Sequence, residues 1–101
     1  MIIYLITTAR YAYRDEEDNI IYDRRRVREE LGITTRQERY YLKALRKLNY
    51  LKGLVKFDNG GARLFYTYTP RALKFFRDLR DSLNRVLEDV KVEVRTLGGV
   101  R

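Results

Sequence analysis

The chain has 101 residues, 45% apolar and 36% charged, and its 22 Lys and Arg against 14 Asp and Glu leave a net charge of +8. A chain this short buries only about 60 to 65% of the surface its unfolded form exposes, so one small core is expected, completed by a partner subunit. Cysteine and histidine are absent, which excludes disulfides, Cys/His zinc sites, thiol nucleophiles and acid/base pairs built on imidazole.

No cofactor, metal or catalytic activity is therefore expected. The longest apolar run, residues 1–6, is far below the roughly 20 residues of a membrane span and lacks a basic n-region and a cleavage site. An intracellular, cytoplasmic chain with no membrane partner is the expectation. Sixteen of the basic residues are Arg, and there are nine Tyr. Arg offers a planar fork to phosphates and guanine edges, so this composition leans toward nucleic acid; the alternative is a well-solvated thermophile surface, which the scarcity of thermolabile side chains also fits.

In chain order, Ile2, Ile6, Ala9 and Tyr13 recur at helical steps and predict a helix over 2–13, with a strand over 2–8 as the competing pattern. Residues 15–19 are acidic, have no apolar period and read as a solvated loop rather than a cation site. A short strand at 20–22 follows. Asp23 suits the N-cap of a helix to Leu31, stopped by Gly32. Thr35-Arg36-Gln37-Glu38 has the form of a capping box, opening a helix over 35–48 whose buried stripe is Tyr41, Leu42, Leu45 and Leu48. Asn49 sits where that helix should stop.

Two strand-like runs, 51–57 and 62–68, flank Asp58-Asn59-Gly60-Gly61, a tight hairpin signal. Thr69 and Pro70 then begin another helix over 70–89, in which Ala72, Phe76, Leu79, Leu83, Val86 and Val90 form a heptad seam. Valines at 90, 92 and 94 alternate with charges, which predicts a short strand over 90–97 and a tail to residue 101.

From Asp23 to Thr69 the chain resembles the archaeal and bacterial winged helix-turn-helix regulators of the MarR, PadR and ArsR types. The likeness is carried by Val27, Leu31, Gly32 and Ile33, by Leu42, Leu45 and Leu48, by Asn49, Tyr50 and Leu51, and by the stretch from Arg63 to Pro70 after Asn59-Gly60-Gly61. Two positions depart from the family pattern: Arg28, where a small residue is usual, and Glu38, at a site often apolar. The resemblance implies an α+β fold, a three-helix core with a β-hairpin wing over residues 1–69 and a long C-terminal dimerisation helix. It also implies a homodimeric, sequence-specific regulator of double-stranded DNA, of a kind common in archaea and their viruses.

Charge points the same way without the resemblance. Residues 35–63 contain eight basic side chains, Arg36, Arg39, Lys43, Arg46, Lys47, Lys52, Lys56 and Arg63, against Glu38 and Asp58, for a segment charge of +6. Arg36, Arg39, Tyr40 and Lys43 share one helical face opposite the Leu42 and Leu45 stripe. Arg36, Gln37 and Arg39 are types that make bidentate contacts to base edges in a major groove, with Tyr40 and Lys43 farther along.

Thr34 and Thr35 suit a phosphate oxygen at the helix N-terminus. Lys56 and Arg63 flank the hairpin, whose Asn59, Gly60 and Gly61 allow close approach to the backbone or a minor groove. Arg24, Arg25 and Arg26 open the helix that crosses the backbone in this fold; local neutralisation by Asp23, Glu29 and Glu30 is the alternative. Phe76, Leu79, Leu83, Val86 and Val90 are the expected dimer interface, each worth roughly 1.5 to 3 kcal/mol on burial. The rival functions are a non-specific DNA-coating protein, a protein-interaction module and a small basic ribonuclease.

Overall fold

A computed structural model describes residues 1–99, with side chains through residue 93. Helix α1, Ile2–Thr8, passes through a 3-10 turn, Ala9–Tyr11, into strand β1, Ala12–Arg14. The helix expected over 2–13 thus ends early. The Thr7 and Thr8 hydroxyls donate to the Ile3 and Leu5 carbonyls at 2.7 and 2.6 Å, and the residues beyond pair with strand β2, Ile20–Tyr22, matching Ala12 with Tyr22 and Arg14 with Ile20. A neighbouring strand outweighs helical periodicity here. The acidic segment is the turn between them: Asp15 accepts from the amides of Glu17 and Asn19, both at 2.9 Å.

Helix α2, Arg24–Leu31, has Asp23 as its N-cap and Gly32 at φ 64° as its stop, both as expected. Helix α3, Thr35–Lys47, begins differently. Its capping box is Thr34 with Gln37: the Thr34 hydroxyl accepts from the Gln37 amide at 3.1 Å, and the Thr34 amide donates to the Gln37 side chain at 2.8 Å. The box expected at Thr35 and Glu38 is displaced by one residue because both registers fit the motif, and Glu38 is drawn into the core instead. Asn49 takes φ 65° just past the helix, as its conformational tolerance predicted.

Strands β3, Leu51–Asp58, and β4, Gly61–Tyr68, form the hairpin, closed by Asn59 and Gly60. The left-handed residue is Gly61, at φ 102°. The antiparallel sheet has the order β1-β2-β4-β3. On one face it carries Leu51 opposite Tyr68, Gly53 opposite Tyr66, Val55 opposite Leu64 and Phe57 opposite Ala62. The first of these pairs packs with Tyr4, Leu5, Tyr22, Val27, Leu42, Leu45 and Ala72 in the core.

Helix α4, Pro70–Gly99, is capped by Thr69, whose hydroxyl accepts from the Ala72 amide. It continues through the segment expected to be a strand. That segment pairs with no strand of the sheet, and an isolated strand leaves its amides unsatisfied where a helix satisfies them internally. The last two residues of the expected tail lie outside the described residues. The architecture is α+β, and its order of elements is compatible with the winged helix expected from the sequence.

Candidate nucleic-acid interface

Helix α3 buries Glu38, Leu42 and Leu45 and exposes Arg36, Arg39, Tyr40 and Lys43. The four exposed side chains line one shallow surface cleft together. Around the helix, Arg39, Lys43, Arg46 and Lys47 face Lys52 of β3 across an open groove of about 690 Å³ floored by Leu51, Gly53 and Tyr66. Among the described residues, Arg36, Arg39, Lys43, Arg46, Lys47 and Lys52 form no ion pair, in contrast to the cations of α2 and to Lys56 and Arg63 of the hairpin. Six uncompensated charges thus lie on one helix and the strand that follows it.

The other expected phosphate contacts are placed differently. Arg25 pairs with Glu29 at 3.0 Å and Arg26 with Asp23 at 3.9 Å. Lys56 is held by Asp15 at 3.0 Å and Glu16 at 3.3 Å, and Arg63 by Asp58 at 3.3 Å. Asn59, Gly60 and Gly61 are exposed at the hairpin tip. Gln37 spends its side-chain oxygen, and Thr34 its hydroxyl, on the helix cap. Thr35 is exposed in a cleft of about 570 Å³ shared with Arg24, Arg28, Arg39, Leu64 and Tyr66.

Beneath this surface lies an ion network. The Glu38 side chain is 0% exposed and accepts from Arg24 Nη2 at 2.7 Å, Arg28 Nη1 at 2.9 Å and the Tyr4 hydroxyl at 2.7 Å. Burial alone would push its carboxyl upward, but Arg24, Tyr4 and Arg28 outweigh it and hold it below the usual Glu range. Burial pushes the Tyr4 hydroxyl far up, so it remains a donor. The two departures from the family pattern, Arg28 and Glu38, are therefore partners of each other. Arg24 also lies 5.3 Å over the Tyr66 ring, which fixes it between α2 and the sheet.

No family model, curated protein or solved structure matches this chain. What the surface can do follows from its chemistry alone. Among the described residues no cluster of metal ligands occurs, and no helix is long and apolar enough to cross a membrane. A row of unpaired guanidinium and ammonium groups attracts a polyanion, and each phosphate neutralised releases counterions.

Sequence reasoning did not single out Arg46, Lys47 and Lys52, although the segment charge already contained them. It also missed Arg71, which donates to the Leu48 carbonyl at 2.9 Å and covers the Tyr50 ring at 4.7 Å. That contact ties the end of α3 to α4. A third omission is the apolar face of the hairpin, where Val55, Phe57 and Leu64 are exposed.

Proposed function

We propose that this chain is a winged helix-turn-helix protein that binds double-stranded DNA as a homodimer to regulate transcription, with α3 in the major groove and the hairpin as its wing. The observation that carries the proposal is the set of six unpaired cations on α3 and the start of β3. Arg36 and Arg39 read base edges; Lys43, Arg46, Lys47 and Lys52 neutralise phosphates. Arg24 and Arg28 hold the helix through Glu38 and do not contact the duplex.

Its role is binding rather than turnover. A hydrolytic site built on the Arg and Tyr cluster would draw on Glu38 as general base, and that carboxylate is sealed under two guanidinium groups. Dimerisation is supported by Leu83, Val86, Leu87 and Val90, each roughly half exposed at i, i+3, i+4 and i+7 of α4. Phe76 instead packs on Tyr68, ring centroids 5.3 Å apart, and Leu79 is half-buried. The seam therefore becomes available to a partner from Leu83 onward.

The test is fluorescence anisotropy of a labelled duplex across a salt series. With Lys43, Arg46, Lys47 and Lys52 each on a phosphate, the slope of log K against log salt is about −3.6 per protomer. Arg36→Glu with Arg39→Glu abolishes binding while leaving the melting temperature unchanged; retained affinity in that variant refutes the proposal. Commitment of the Gln37 oxygen to the cap favours a second reading, sequence-neutral DNA coating. Competition with unrelated duplex separates the two, since a regulator holds its own site about 1,000-fold or more tighter.

A further inference from the structure

The hairpin has two chemically opposite faces. On one, Lys56 and Arg63 stand opposite each other in the strand register, and both are engaged by carboxylates, Lys56 by Asp15 and Glu16 and Arg63 by Asp58. The other is apolar and open to water: Phe57 is 82% exposed, Val55 52% and Leu64 47%. Large apolar side chains are uncommon at such exposure in a cluster, and one beside a tight turn is placed to reach outward. Leu64 shares its cleft with Arg39, so the apolar face turns toward the side on which the cations of α3 are unpaired.

We infer that Phe57 is a wedge that enters the minor groove and partly unstacks one base step, kinking the duplex, with Val55 and Leu64 lining the groove behind it. The inference rests on the DNA-binding role proposed above. The two properties of this face select the occupant. An apolar protein partner would have to cover the unpaired Arg39 guanidinium beside Leu64, whereas a duplex offers phosphates to the α3 cations and flat apolar base faces to the ring. The cations nearest the tip, Lys56 and Arg63, lie on the far face and are held by carboxylates, so the near face of the tip grips no phosphate.

The full chain is tested on a duplex of about 30 bp carrying 2-aminopurine in its TA steps, which kink most readily, and a donor and acceptor dye at its ends. The wild type raises both the 2-aminopurine emission and the end-to-end energy transfer. Phe57→Ala binds about fivefold or more weakly and leaves both signals at the level of free duplex. Phe57→Leu keeps a wedge and restores them. Because the ring is exposed, an unchanged thermal melt confirms that each variant is folded.

Wild-type binding with neither signal, or both signals persisting in Phe57→Ala, overturns the wedge and leaves DNA binding standing. Failure of the wild type to bind duplex overturns both. A change in sedimenting mass on Phe57→Ala, with DNA signals intact, assigns this face to a protein contact and also overturns the wedge.

Discussion

Replacing Glu38 by Gln keeps the shape of the side chain and removes its charge from the point where α1, α2 and α3 meet. Three donors lose an anionic acceptor, the Tyr4 hydroxyl, Arg24 and Arg28, at 2.7, 2.7 and 2.9 Å. Deleting one partner of a buried ion pair costs about 3 to 5 kcal/mol, because the opposite charge is left desolvated. Arg24 and Arg28 are 27% and 26% exposed and regain some water, which places the loss at the lower end, about 3 kcal/mol. In a domain of this size that lowers the melting temperature by roughly 12 to 24 °C.

Urea unfolding followed by circular dichroism, at neutral and acid pH, measures it. The Glu38 carboxyl is held below its ordinary value, so the stability it contributes is complete above about pH 4.3 and is lost as pH falls through the lower folded value. The gap between wild type and Glu38→Gln therefore narrows on acidification. A loss under about 1 kcal/mol at neutral pH, or a gap indifferent to acid, would refute the network as a stabilising anchor.

Three further outcomes are expected. Thr34→Ala destabilises the fold by about 1 kcal/mol and Thr35→Ala by only a few tenths, because Thr34 is the residue that caps α3; equal effects in thermal melts would place the helix start elsewhere. Gly32→Ala costs about 1 to 2 kcal/mol although no atom lies within 4 Å of the added methyl, since the penalty comes from φ 64° alone; a neutral result by urea titration would contradict this. Asp15 titrates at about 2 in a carboxyl NMR titration: its burial opposes the charge, but the Asn19 and Glu17 amides and Lys56 overcome it. Its stabilisation is lost as pH falls through that value, and Lys56→Ala moves the midpoint upward.

The local rules that operate through backbone geometry were legible in the sequence. Asp23, Gly32, Asn49 and Thr69 act where their chemistry says they should, and the hairpin turns at Asn59-Gly60 as expected, although its positive φ falls at Gly61. The misses share a different cause: the deciding partner is distant in sequence. The helix at 2–13 yields to β1 because β2 is there to pair with it. The capping box slips by one residue because Tyr4, Arg24 and Arg28 supply Glu38 with a better place. The valines from 90 onward have the right alternation for a strand, yet they continue helix α4 and do not enter the sheet, whose edges are β1 and β3. Within the candidate site, the face of α3 could be read from periodicity, whereas the pairing of Lys56 with a turn 40 residues earlier could not.

The charge of residues 35–63 shows why a correct total can conceal a different distribution. Eight basic and two acidic side chains give +6, and six cations are indeed unpaired, yet the cancellation is not the one the count implies. Glu38 is neutralised by α2, from outside the segment, so it removes nothing from the exposed face of α3. The cations withdrawn are Lys56, by the β1–β2 turn, and Arg63, by Asp58. Positive charge that the sequence spreads over helix and hairpin is thus concentrated along α3 and its junction with β3. What the hairpin keeps exposed towards its tip is Phe57, Val55 and Leu64, so under the DNA-binding role proposed above any preference it confers comes from how readily the duplex deforms.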